Sequence, residues 1–145
     1  MADIVLRAAT ANDVAAIATL AGELGYPASA EEMTPRLKAI GADPAHVVFV
    51  AEQMHAAVGW IHVCVMQSLE SAPFAEIRGM VVTERLRGRG VGKGLVRQAE
   101  RWAQEKTCAK MRVRSNVARA HTRGFYEAQG YALIKNQNVF EKTVR

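Results

Sequence analysis

Apolar residues along this chain recur with two different periods, and the change from one period to the other predicts its elements. Residues 4–8 and 47–52 are short runs rich in β-branched and apolar residues, which is typical of strands. Residues 14–24 and 91–105 carry apolar side chains three and four positions apart, which is the spacing of a helix with one buried face. The chain therefore mixes strands and amphipathic helices.

The full pattern predicts the order strand, helix, helix, three strands, helix, strand, helix and two strands. The predicted elements are residues 4–8, 10–24, 34–40, 47–52, 56–67, 75–82, 91–105, 111–114, 118–129, 131–134 and 139–144. No internal repeat or linker interrupts them, and strands and helices do not alternate strictly. We therefore predict one α/β domain over residues 1–145, with a mixed sheet.

The second helix carries conflicting signals at its start. Ser29 followed by Glu32 has the spacing of a capping box, but Pro35 lacks the backbone N–H that an uninterrupted helix needs. We predict a break at Pro35 and a new start capped by Thr34, since proline is favoured at the first helical position.

Composition narrows the class of protein further. The chain has 145 residues, a net charge of +5 and two cysteines, Cys64 and Cys108, which cannot form a disulfide framework and are expected to be buried thiols. The apolar runs are far shorter than the ~20 residues of a membrane helix, and no targeting segment is evident. We expect a cytoplasmic protein with no membrane partner. Positive charge is concentrated in residues 78–123, which indicates an anionic ligand.

The most informative segment lies between a predicted strand and a predicted helix. Its sequence is Arg87, Gly88, Arg89, Gly90, Val91, Gly92, Lys93 and Gly94. Glycines at the start of a helix let a pyrophosphate approach unpaired N–H groups at the positive end of the dipole. The spacing fits neither a Walker loop, which needs a hydroxyl after the lysine, nor a dinucleotide-binding G-x-G-x-x-G.

The spacing that remains is R-x-x-G-x-G, formed by Arg87, Gly90 and Gly92. With it the chain resembles the GCN5-related N-acetyltransferase (GNAT) superfamily over nearly its whole length. Asn116 and the run from Phe125 to Tyr131 are similar to that superfamily's second signature. The resemblance implies a mixed, mostly antiparallel sheet with helices on both faces, and acetyl-CoA as cosubstrate without a metal.

The resemblance also implies where acetyl-CoA binds. The pyrophosphate would lie on the amides of residues 87–94, and the pantetheine arm would pair with backbone groups of Met80 and Val82 in a gap between the fourth and fifth strands. Gly79 suits the distortion of the fourth strand, because a glycine inside a strand marks a bulge or a close approach. Asn116 matches the family residue that hydrogen-bonds pantetheine, with a loop-capping asparagine as the alternative.

Two residues match the catalytic groups of the family. Tyr126 matches a tyrosine that protonates the departing thiolate, and a phenol is protonated at neutral pH. Its alternative is packing against Phe125. Glu76 resembles the glutamate that histone-acetylating members use as a base, with a structural or substrate-anchoring role as the alternative.

The acceptor is predicted to be a primary amine of a small molecule or a lysine, attacking acetyl-CoA directly in a ternary complex. The resemblance implies an acceptor site lined by Tyr26, Phe74 and Glu76, which together with Glu70 suits a cationic amine. The alternatives are a catalytically silent acyl-CoA sensor and a basic nucleic-acid-binding module, but no recognition helix or stacking aromatic supports the latter.

Two further expectations concern ligands and assembly. His62 and Cys64 alternate on one strand, but two residues are too few for a metal site, and a structural role is favoured. His46 and His55 are expected in loops. Apolar residues in segments 56–67 and 139–144, together with the family's frequent pairing of terminal strands, favour a homodimer.

Overall fold

The computed structural model describes residues 3–115 and 120–145, which separate into two compact units, Met1–Arg114 and Ser115–Arg145. In the first unit a five-stranded sheet has its strands in chain order. They are β1 (Val5–Ala8), β2 (His46–Gln53), β3 (Ala56–Ser68), β4 (Ser71–Val82) and β5 (Met111–Val113). Its α-helices are α1 (Val14–Leu24), α2 (Ala30–Gly41) and α3 (Val91–Glu105).

The sheet is mixed, as predicted. β1 to β4 pair antiparallel, and β5 pairs with β4 in parallel. The tight connection between β2 and β3 is made by Met54 and His55, which both have positive φ, at 50° and 64°. Two successive left-handed residues turn the chain with the twist that an antiparallel hairpin needs. The hairpin predicted from the sequence is therefore confirmed.

Helices cover both faces of the sheet. Leu6 and Gly59 are aligned across β2 and share one face, while Trp60 points to the other because side chains alternate along a strand. Helix α3 lies against Leu6 at Gly94, and the Trp60 indole donates a hydrogen bond to the Ile17 carbonyl of α1. Helices α1 and α3 therefore pack on opposite faces. The most deeply buried apolar side chains are Ile61, Leu95, Val50, Val63 and Val96.

The predicted break at Pro35 is wrong. Helix α2 runs without interruption from Ala30 to Gly41 with Pro35 inside it. Its start is fixed by a complete capping box, in which Ser29 Oγ accepts from the Glu32 amide and Glu32 Oε1 accepts from the Ser29 amide, each at 3.0 Å. A proline near the start of a helix removes one hydrogen bond, and the box satisfies two orphan donors, so the first turn forms without a recap.

The second unit contains α4 (Ala120–Glu127), whose chain turns at Gly130 with a φ of 93°. The two strands predicted at residues 131–134 and 139–144 are not present, since residues 131–145 carry no strand pairing. Periodicity reports the preference of a segment for extended backbone, but a strand exists only where another edge pairs with it.

Across the two described ranges, no helix combines the length and the apolar content that a bilayer span requires.

Candidate active site

The glycine-rich loop at residues 87–94 leads directly into α3. Gly88 and Gly90 have φ values of 78° and 85°, a region that residues with a side chain rarely adopt. A Cβ at either position would meet no heavy atom within 4 Å, so the backbone here is open. No acidic residue lies in the first turn of α3, and Arg89 and Lys93 are exposed beside it. The loop therefore presents amides, a positive dipole end and cations to an anion.

Arg87 fixes the loop to the end of β4. Its Nε donates to the Val82 carbonyl at 3.1 Å, and its Nη2 lies 3.8 Å from Glu23 Oε1. Glu23 in turn accepts from Thr83 Oγ1 and from the Glu84 amide, both at 3.1 Å. The carboxylate of α1 thus ties the strand end and the loop together.

A gap opens between β4 and β5 beside this loop. The parallel pairing ends at Ile77 and Val113, while β4 continues to Val82. Within the described residues, the β5 side of β4 has no strand partner at Met80 and Val82. These are the two positions predicted to pair with the pantetheine arm, and an unpaired strand edge offers backbone donors and acceptors to such a ligand.

The same stretch of β4 contains a bulge. In the ladder with β3, His62 faces Gly79 and Val63 faces Ile77, so Arg78 is an extra residue without an opposite. A bulge bends the strand and changes the direction of the side chains around it. The predicted distortion near Gly79 is confirmed.

Glu76 is the most enclosed charged side chain in the described residues, with 1% of its surface exposed. Its carboxylate forms two ion pairs. Arg78 Nη1 contacts Oε2, and Arg114 Nε donates to Oε1 at 2.9 Å. The arginine side chains are 45% and 54% exposed, so the cations, and not the carboxylate, form the surface. We call Glu76, Arg78 and Arg114 the arginine clamp.

Two histidines on β2 and β3 lie close to the clamp. His46 Nδ1 and His62 Nε2 are 2.9 Å apart, and Asp43 Oδ2 lies 3.8 Å from His46 Nε2. Burial, together with the nearby His46 and Arg78, lowers the pKa of His62 to about 4, which keeps it neutral at pH 7. His46 was expected in a loop, but it is the first residue of β2.

The predicted acceptor residues do not all line one open surface. Phe74 is buried, with the Arg112 guanidinium 4.1 Å above its ring, whereas Tyr26 is 68% exposed in the loop between α1 and α2. A small open pocket of about 110 Å³ lies beside Phe74. It is lined by Ser71, Ala72, Pro73, Phe74, Ala109, Lys110 and Arg112.

Tyr126 belongs to the second unit, on α4. Its ring meets Phe125 and Tyr131 edge to face, with centroid distances of 5.0 and 5.5 Å. The side chain is buried, and this burial raises the pKa of its hydroxyl to about 12. The phenol therefore keeps its proton across the neutral range. Asn116 lies outside the described residues.

Sequence reasoning missed the arginine clamp. Glu76 and Arg78 are two positions apart on one strand, which is a visible signal, but Arg114 comes 38 residues later. Only the parallel register of β5 brings it to the same carboxylate.

Comparisons with known proteins agree with this geometry. The acetyltransferase (GNAT) family profile matches residues 14–131. An aminoglycoside N(6')-acetyltransferase type 1 from Serratia marcescens is 26% identical over 121 residues, covering 80% of this chain and 83% of that protein.

Solved structures show the same fold. The aminoglycoside N-acetyltransferase AAC(6')-Iy in complex with CoA superposes with a TM-score of 0.89 at 18% identity, covering 99% of this chain and 97% of its own. Glucosamine-6-phosphate N-acetyltransferase from Arabidopsis thaliana gives 0.81 at 21% identity, covering 96% and 98%. At these identities the likeness establishes the fold alone.

The five-stranded sheet, the gap beside β4 and the glycine loop define an acyl-CoA-dependent acyltransferase. The chain belongs to the GNAT family of acetyltransferases, and its cosubstrate is acetyl-CoA. Among the residues described here, no group of three or more His, Cys, Asp or Glu side chains could hold a metal ion.

Proposed function

We propose that this protein moves the acetyl group of acetyl-CoA to a primary amine of a small molecule or a lysine side chain, by direct attack in a ternary complex. The observation that carries the proposal is the edge of β4 at Met80, between the glycine loop and the arginine clamp, where the described part of the chain supplies no strand partner on the β5 side. An acetyl group held there would have its donor's phosphates at one end and the acceptor at the other.

The donor is held mainly by backbone in this proposal. The pyrophosphate lies on the amides of residues 87–94, and Met80 and Val82 pair with the pantetheine arm, with Asn116 as a further donor. One β4 amide polarises the thioester carbonyl, which stabilises the charge that develops on its oxygen during attack.

The reaction exchanges one bond for another. The neutral amine attacks the thioester carbon, the new C–N bond forms, and the C–S bond breaks to release CoA thiolate. Tyr126 gives the thiolate its proton as the C–S bond breaks and regains a proton from the attacking nitrogen through water. Its buried hydroxyl, which is protonated at neutral pH, supports that role. The amine loses its extra proton to a base or to water.

Glu76 could act as the base or could have a structural or substrate-anchoring role. Its surroundings favour the structural or anchoring role. A carboxylate enclosed at 1% exposure and paired with two guanidiniums is poorly placed to reach an amine. We propose that Glu76 anchors the acceptor side through Arg78 and Arg114, and that water removes the amine proton.

Direct transfer is favoured over an acyl-enzyme by the state of the thiols. Cys64 and Cys108 are free and buried, and burial raises the pKa of Cys64. A protonated, enclosed thiol is a poor nucleophile. The free thiols also fit the reducing cytoplasm, which is the location we propose.

A small-molecule acceptor is supported by the Serratia marcescens relative, whose name says that it acetylates aminoglycosides. The test is release of CoA thiol from acetyl-CoA with a panel of amines. Turnover with any amine supports the proposal, whereas tight binding of acetyl-CoA without turnover would favour a silent sensor.

We also propose a homodimer built through residues 131–145. Five large apolar side chains in this segment are 54% to 91% exposed, namely Leu133, Ile134, Val139, Phe140 and Val144. So much exposed apolar surface in so short a segment favours cover by a second copy.

Light scattering tests the dimer. We expect about twice the 15.8 kDa of one chain, and Phe140→Glu should shift the mass toward the monomer. Leu69→Glu, at a fully exposed turn position, is the matched control and should not. A wild-type mass of one chain at micromolar concentration would reject the dimer.

A further inference from the structure

The part of β4 around Glu76 and Arg78, where we place the acceptor, carries more positive charge than the acidic lining expected from the sequence. Arg78, Arg112 and Arg114 lie on β4 and at β5, and the carboxylate set among them is Glu76. On the neighbouring strand β3, His62 is neutral and Cys64 is a protonated thiol. Asp43, in the connection before β2, lies beside His46. The surface next to Met80 therefore carries excess positive charge.

The clamp is also held in place before any ligand arrives. The buried carboxylate of Glu76 holds Arg78 and Arg114 by ion pairs, while about half of each arginine side chain faces solvent. A guanidinium has five N–H donors in a planar fork that matches the oxygens of a carboxylate or phosphate. Arginines already restrained by a buried partner lose less conformational entropy when they bind an anion.

The position of the clamp sets the length of the ligand. Arg78 lies two residues before Met80 on β4, which is ~7 Å along a strand. When the amine of the acceptor lies at the thioester carbon, a substituent a few bonds from that amine therefore reaches the guanidiniums of Arg78 and Arg114.

We propose that Arg78 and Arg114, held by Glu76, bind an anionic group of the acceptor, either a carboxylate or a phosphate, so that the substrate is an anionic small-molecule amine. The inference rests on the proposed acetyl transfer. It is opposite to the cationic acceptor expected from the acidic residues of the sequence, because Glu76 is enclosed by cations and exposes almost no carboxylate.

The test uses amines that differ only in the anionic group. Glucosamine 6-phosphate is compared with glucosamine, and 4-aminobutyrate with its amide, so that the two pairs separate phosphate from carboxylate recognition. Kanamycin serves as a polycationic acceptor. We expect kcat/KM to be roughly 10 to 100-fold higher for the anionic member of at least one pair, which is the scale of a charged, bidentate hydrogen bond.

Variants assign this preference to the clamp. Arg114→Gln and Arg78→Gln should each reduce it by about tenfold or more while KM for acetyl-CoA stays unchanged. Arg101→Gln is the matched control, because Arg101 is exposed on α3 and contacts Gln98. The double variant Glu76→Gln with Arg114→Gln leaves no unpaired buried carboxylate, so it reports on recognition even where a single variant folds poorly.

The outcomes separate this inference from the proposed function. Equal or better use of the uncharged amines or of kanamycin, or a preference that survives both arginine variants, overturns the inference and leaves acetyl transfer intact. If no amine is acetylated, the proposed function fails. Calorimetry with glucosamine 6-phosphate and glucosamine then still decides the inference. It is supported if only glucosamine 6-phosphate binds and this binding requires the clamp arginines, and it is overturned if the two sugars bind equally.

Discussion

The glycine loop and the arginine clamp flank the same stretch of β4, yet they are built in different ways. The loop uses consecutive residues, and the groups that we propose bind an anion are backbone amides beside two glycines with positive φ. The clamp uses side chains from two strands that meet around one buried carboxylate. The loop depends on the absence of side chains and the clamp on their presence.

This difference determines how each region should respond to mutation. In the loop, most side chains can change as long as the glycines remain, because a Cβ there conflicts with the backbone conformation. In the clamp, a change in one residue alters the surroundings of the other two, because they share a carboxylate.

The largest effect is expected from filling the loop. Gly90→Glu places a strained, negatively charged residue where we propose that the pyrophosphate approaches, so binding of acetyl-CoA should be lost. In wild-type protein, acetyl-CoA at 100 times its Kd should stabilise the fold by about 2.7 kcal/mol, seen as a rise in Tm. Gly41→Glu, at another open glycine, is the control and should keep the shift. A shift that persists in Gly90→Glu would place the nucleotide elsewhere.

The second prediction concerns the hydroxyl of Tyr126, a residue of α4. Tyr126→Phe should lower kcat by roughly 10 to 1000-fold with little change in acetyl-CoA affinity, since it removes a proton donor and keeps the ring. Because the hydroxyl has a pKa of about 12, its titration should not limit activity between pH 6 and about 10. Tyr131→Phe is the matched control. Unchanged turnover in Tyr126→Phe would reduce Tyr126 to a packing role.

The third prediction separates the two roles of Glu76. Glu76→Gln should reduce kcat/KM for an anionic amine by about tenfold, because Arg78 and Arg114 lose the partner that positions them. The acidic limb of the pH profile should stay in place, since in the role we propose Glu76 does not take the amine proton. Movement of that limb would instead make Glu76 the base. The variant should also lose about 1–2 kcal/mol of stability, less than a fully buried pair because both arginines are half exposed.

The smallest effect concerns the neutral histidine beside the clamp. The pKa of His62 is about 4 in the folded protein and about 6.5 when unfolded, so between these values only the unfolded chain binds the proton. Stability should therefore fall as pH drops from 6.5 toward 4. In His62→Gln, Tm should fall less over this range, by a difference of roughly 5 °C. His121→Gln, an exposed helical control, should follow the wild type, and a parallel His62→Gln curve would contradict the burial of a neutral imidazole.

Much of the fold follows from local signals. The hairpin at Met54 and His55, the first helix ended by Gly25, and helix α3 appear where the sequence predicts them. Each depends on neighbours within a few residues, so turn chemistry and periodicity suffice. The capping box at Ser29 is also visible in the sequence. Whether its stabilisation outweighs the hydrogen bond lost at Pro35 cannot be read from periodicity, and the uninterrupted helix α2 shows that it does.

The sequence by itself determined the family and located the glycine loop that we propose binds the donor, since the spacing of Arg87, Gly90 and Gly92 is a contiguous signal whose proposed chemistry is carried by backbone. The tertiary structure decided what surrounds Glu76. Its partner Arg114 is 38 residues away, and only the parallel register of β4 and β5 brings the two together. It also decided that residues 131–145 remain without strand pairing, because a strand needs a partner edge that no local pattern specifies.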